Sequence, residues 1–132
     1  MNILIGGAAG QGMETIAHLL GKALVRTGFG VLSAKDYMSR VRGGHNFTRL
    51  RIGSQTPWTA DGPIHILMAL NEEAYKLHKA DLAENGRIIY DPEEFTPAEN
   101  DERAIPVQLL KSAKEEAGNK IMANTVAVGA TL

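Results

Sequence analysis

The sequence predicts an α/β domain of three layers: a mainly parallel sheet between helices, with an inserted β-hairpin or edge strand. Three observations carry this expectation. Apolar runs at 1–5, 31–34, 64–70 and 87–90 have the length of buried strands, and polar or helix-period segments separate them. A glycine-rich turn joins the first run to a helix-period segment, giving strand, turn, helix, strand: a βαβ unit with a right-handed crossover. With 132 residues, 44% of them hydrophobic, the chain can fill one core, read as a single domain over 1–132.

Each element follows from local pattern. In residues 11–26 the positions Ile16, Leu19, Leu20, Ala23 and Leu24 fall on one helical face, and Thr27-Gly28 stops the helix. Residues 36–45 read as a loop ending in Gly43-Gly44. Residues 46–52 alternate, with Phe47, Arg49 and Arg51 on one side and Thr48, Leu50 and Ile52 on the other, as a strand does. Residues 53–63 are rich in turn formers. Asn71 suits an N-cap for a helix over 72–79, whose early glutamates complement the helix dipole. Residues 104–107 read as a short strand and 109–117 as a helix. The apolar stretch 121–132 reads as helix-like and stops without a cap, which predicts a domain truncated at its C-terminus. The architecture is therefore Rossmann-like.

Composition narrows the function. A formal net charge of -1 gives no general pull toward nucleic acid or membranes. There are no cysteines, which excludes a disulfide scaffold and a thiolate-held metal or iron–sulfur cluster within this sequence. No basic leader and no apolar run of about 18 residues is visible, so a cytoplasmic location is expected.

Two turns carry the chemistry. In the first, Gly6, Gly7, Gly10 and Gly12 permit a sharp bend, and the following helix N-terminus favours an anion. A turn that binds nothing is the other reading. The dinucleotide fingerprint is half met: Gly10-Gln11-Gly12 is present, but Thr15 stands at the third glycine position, where it is expected to push helix and strand apart. Glu14 is expected to compete with a pyrophosphate. Asp36 is a candidate ribose-binding acid, and no Walker A sequence follows. The second turn lies in KDYMSRVRGGHNFTRLRIGSQ, residues 35–55. Arg42-Gly43-Gly44 allows close backbone approach beside a guanidinium, and Arg49 and Arg51 add positive field. This suits a polyanionic ligand or an acidic partner. An exposed loop beside an arginine-guarded edge strand is the alternative. His45, with no acid nearby in sequence, reads as a hydrogen-bonded turn residue rather than a catalyst.

Taken together, IGGAAGQGMETIAHLLGKAL and DYMSRVRGGHNFTRLRI resemble the gamma domain of the 2-oxoacid:ferredoxin oxidoreductases, most of all the form fused at the N-terminus of 2-oxoglutarate-type alpha subunits. The likeness extends to ANTVAVGATL, residues 123–132. It implies an enzyme complex that oxidatively decarboxylates a 2-oxoacid, forms an acyl-CoA and reduces ferredoxin. It further implies that thiamine diphosphate, magnesium and iron–sulfur clusters sit on partner subunits, and that this domain is not catalytic alone. Carried over by position, Gly7, Gly10, Gln11 and Gly12 form one half of a shared CoA site or subunit seam. Arg42, Gly43, Gly44 and His45 form the other. The principal alternative is a free-standing Rossmann-type nucleotide-binding protein, supported by Gly10, Gly12 and Asp36. A third is an assembly module without a ligand.

Overall fold

The computed structural model describes residues 1–37, 45–97 and 101–109. Strand β1 (Asn2–Ala8) leads through the glycine turn into α1 (Met13–Arg26). Then follow β2 (Gly30–Tyr37), β3 (His45–Gly53), β4 (Ile64–Ala69), α2 (Glu72–His78), a 3₁₀ turn (Lys79–Asp81), β5 (Leu82–Tyr90) and β6 (Ala104–Pro106). The predicted helix over 109–117 lies, after Leu109, outside the described residues, as does 121–132.

The six strands form one sheet in the order β2-β3-β1-β4-β5-β6. β1, β4, β5 and β6 run parallel to one another, while β3 is antiparallel to both β1 and β2. The sheet is thus mainly parallel with an inserted hairpin, β2–β3. The hairpin's second strand lies inside the sheet, between β1 and β2, so the arginine-bearing strand is not the edge; β2 is.

Pattern explains the layering. Ile3 and Ile5 of β1 join Leu50, Ile52 and Met68 under the apolar stripe of α1, formed by Met13, Ile16, Ala17, Leu20 and Leu24. Leu4, on the other face, joins Leu67, Ile88 and the α2 residues Ala74 and Tyr75. α1 starts at Met13 because Gly12, at φ 83°, turns the chain into it, and it ends where the Thr27 hydroxyl donates to Leu24 O at 2.8 Å. α2 starts where the Asn71 side chain accepts from the Ala74 N–H at 2.9 Å, as its N-cap pattern predicts. Among the described residues, no helix is long and apolar enough to cross a membrane.

Candidate functional site

Register brings the first turn and the flanks of the second to one end of the sheet. Because β3 runs antiparallel to β1, its first residue lies at the carboxyl end of β1, and Ala8 pairs with His45. On the other side of β3, Tyr37 pairs with Asn46. The segment containing Arg42, Gly43 and Gly44 lies outside the described residues, but both of its flanks sit at this end. The carboxyl ends of the parallel strands are where α/β sheets hold ligands.

Gln11 builds the first turn. Its Oε1 accepts from the Ala8 N–H at 2.6 Å, and its Nε2 donates to the Leu70 carbonyl at 3.1 Å, tying the ends of β1 and β4 together. Both ends of its amide are therefore engaged with backbone, and Gln11 acts by shaping the loop. Gly7 makes room for it: a Cβ there would lie 2.6 Å from the Gln11 Oε1 and 3.0 Å from the Leu70 Cβ. Gly10 and Gly12 have φ of 86° and 83°, the left-handed region that favours glycine.

A cleft of about 370 Å³ opens between this turn and β3, lined by Gly10, Gly12, Glu14, Lys35, Asn46 and Phe47 among others. The α1 N-terminus supplies positive potential. The Glu14 carboxylate meets the Lys35 ammonium at 3.1 Å, so its charge is partly offset beside the cleft rather than left to oppose an anion. Thr15 is exposed, and the helix reaches the sheet through Met13, Ile16 and Ala17; the expected separation of helix and strand by Thr15 does not arise.

His45 is buried beside the cleft. Its Nε2 stands 2.7 Å from the Nε2 of His78 on α2, and the Phe47 ring packs against both imidazoles. One ring donates and the other accepts, so at least one must be neutral. Burial lowers the pKa of His45, with Glu73 pulling weakly the other way. Burial first and then His45 push His78 down to about 4, Arg49 adding to the shift and Asp81 opposing it. Among the described residues, the buried His45 Nδ1 has no hydrogen-bond partner. This pair links the second turn to α2. His78 was not among the candidate residues of the sequence, although its spacing from Ala74 and Tyr75 places it on the buried stripe of that helix.

Arg49 and Arg51 share a strand face, but their guanidiniums are turned to carbonyls. Arg49 Nη1 donates to Ala60 O at 3.2 Å and Arg51 Nη1 to Asp61 O at 2.7 Å. They hold the β3–β4 connection in place. Asp36 lies on β2, opposite Phe47, with β3 between its strand and β1. In a dinucleotide fold the acid-bearing strand adjoins the first strand. Here it is two spacings away, about 10 Å instead of about 5 Å. That displacement counts against the nicotinamide reading. Among the described residues no group of three or more His, Asp or Glu could hold a metal ion.

An α/β sheet with a glycine turn and a cleft at the carboxyl end of its first strand defines a domain of the ligand- or partner-holding class. Residues 2–132 match the family model of the pyruvate ferredoxin/flavodoxin oxidoreductases, and the chain belongs to that family. Within it, structure and sequence match the gamma subunit or domain of the 2-oxoacid:ferredoxin oxidoreductases. The chain is 30% identical over 92 residues to subunit alpha of 2-oxoacid:ferredoxin oxidoreductase 2 from Aeropyrum pernix, covering 70% of this chain but 14% of that subunit. It superposes with a TM-score of 0.84 and 26% identity on 2-oxoglutarate:ferredoxin oxidoreductase from Magnetococcus marinus, solved with 2-oxoglutarate, coenzyme A and succinyl-CoA bound. That match covers 98% of this chain and 23% of the other. The gamma subunit of a keto/oxoacid ferredoxin oxidoreductase from Geobacter sulfurreducens gives a TM-score of 0.78 at 27% identity, covering 98% of this chain and 74% of that one.

Proposed function

We propose that this chain serves as the gamma domain of a thiamine-dependent 2-oxoacid:ferredoxin oxidoreductase. The complex converts a 2-oxoacid and CoA to an acyl-CoA and CO₂, passing electrons to ferredoxin. This domain contributes CoA contacts and subunit contacts, while thiamine diphosphate, magnesium and the iron–sulfur clusters belong to partner subunits. The observation that supports the reading is the Ala8–His45 register, which brings His45 and the first turn to the same end of the sheet, beside the α1 N-terminus.

The residues present fit part of CoA. The cleft, at about 370 Å³, is at the lower end of the small-molecule range of about 300–1,000 Å³, a size suited to a phosphate-bearing fragment rather than the whole molecule. The helix N-terminus offers positive potential, Lys35 lines the cleft with its ammonium paired to Glu14, Asn46 offers amide donors, and Arg42 is the guanidinium that the sequence assigns to the second turn. CoA bound there supplies the thiol that accepts the acyl group. The chain's own work is to hold the phosphates and fix their direction. The CoA-bound Magnetococcus relative supports the assignment.

The test is kinetic. In the assembled enzyme, Arg42→Ala and Lys35→Ala should each raise the apparent KM for CoA about tenfold, the loss expected of one charge-assisted contact, without raising that for the 2-oxoacid. If KM for CoA and subunit assembly are both unchanged in the two variants, the reading is wrong.

A further inference from the structure

The β3 wall of the cleft is backed by a side-chain bond on the other face of the sheet. Side chains alternate along a strand: Asn46 and Thr48 line the cleft, while the rings of His45 and Phe47 pack against His78 of α2. His45 is the first residue of β3, so the ladder to β1 continues from it in one direction only. Its Nε2 meets the His78 Nε2 at 2.7 Å, and both rings are buried. Neutral imidazoles can make this contact only if one nitrogen brings a proton and the other a lone pair. Burial leaves neither of them water as a substitute partner.

The helix that carries His78 is tied to both walls of the cleft. It comes this close to the sheet because Gly6 has no side chain: a Cβ there would lie 3.0 Å from the Ala74 Cβ and 3.3 Å from the His45 Cε1. At its start, Asn71 caps the helix, and the Leu70 carbonyl just before it accepts from Gln11 of the glycine turn. At its end, His78 holds His45. α2 therefore spans from one wall to the other, behind the sheet.

We infer that His78 is a positioning residue: through His45 it fixes the start of β3 at the spacing from the glycine turn at which the cleft takes its ligand. This inference rests on the functional reading above. His78 touches no ligand; it sets the fraction of molecules whose cleft is correctly formed. Without the bond, the buried His45 Nε2 is left unsatisfied, and the start of β3 shifts to find it a partner. A cleft formed in about one molecule in five binds about five times more weakly.

The test is made in the assembled enzyme. His78→Leu should raise the apparent KM for CoA about fivefold, the factor carried by one neutral hydrogen bond, and leave kcat at saturating CoA and the KM for the 2-oxoacid unchanged. His78→Gln, whose amide reaches the same position, should stay within about twofold of the native value. Amide exchange at the start of β3 should quicken in His78→Leu and not in His78→Gln. Tyr75→Phe is the control: it removes the 3.0 Å bond of the same helix to Asp101 and should not move the KM for CoA. Where His78→Leu does not fold, His78→Asn, with an amide too short to reach His45, carries the same expectation. A folded His78→Leu with the native KM for CoA overturns this inference, as do equal losses in His78→Leu and His78→Gln. If Arg42→Ala and Lys35→Ala raise that KM and His78→Leu does not, the functional reading stands without it. If none of the three does, both fall.

Discussion

Acid should destabilise this domain through the His45–His78 pair, and the size of the effect follows from the structure. Both imidazoles are buried, with Nε2 atoms 2.7 Å apart, and both pKa values are lowered. In the unfolded chain a histidine takes its proton near 6.5; in the folded chain His78 holds out to about 4. Between those values the unfolded state binds more protons, so stability falls as pH falls through this window and levels off below about 4. At pH 5 the linkage relation for His78 alone gives a loss of about 2 kcal/mol relative to pH 7.5. That is a sizeable part of a domain's typical reserve of about 5–15 kcal/mol. The assay is urea unfolding across pH 5 to 7.5 for the native sequence and for His78→Gln. Glutamine keeps a donor facing His45 but does not titrate. The gap between the two proteins should shrink by about 2 kcal/mol on going to pH 5. Parallel loss of stability in both proteins would refute the reasoning, because carboxylate protonation is common to both.

Other expectations follow from single contacts. Asn71→Ala removes the acceptor for the Ala74 N–H and should cost about 1 kcal/mol in denaturant unfolding, mainly by fraying the start of α2. Gly7→Ala forces a methyl group against the Gln11 Oε1 and the Leu70 Cβ. It should cost about 1–3 kcal/mol and raise amide exchange in the β1–α1 turn. Leu67→Ala, in a strand position with no exposure, should cost about 2–5 kcal/mol, read from the same unfolding curves. Glu72→Gln breaks an exposed pair with Lys76 and should change stability by less than about 0.5 kcal/mol.

Local elements were legible because each was written in a short stretch of chain. The alternation of Thr48, Leu50 and Ile52 marked a strand, and Asn71 marked the start of a helix. Strand order was less legible. Nothing in residues 46–52 says that they pair with β1, because that pairing joins Asn2 to Arg51 across most of a sheet edge. Hence an interior strand could also be read as an edge. The arginines were misleading for a related reason: a guanidinium that answers backbone carbonyls looks, in sequence, like one offered to a ligand. The first turn was legible as a bend, but the part Gln11 plays depends on Leu70, 59 residues away. Lys35 and Asn46 enter the cleft only through strand register, which one-dimensional spacing does not encode.

The insertion of β3 between β1 and β2 also orders assembly. The β2–β3 hairpin closes between residues near in sequence, from Tyr37 with Asn46 outward. Its docking onto β1 must close a longer loop, at the least from Ala8 to His45, and so carries the larger entropy loss. Until that step, β1 offers one unpaired edge, and Gly10 and Gly12 stand apart from Lys35 and Asn46. The site is therefore not a local motif that waits for a scaffold. It exists only when β3 is in register with β1, and a slip in that register would separate its two walls while leaving the helices intact.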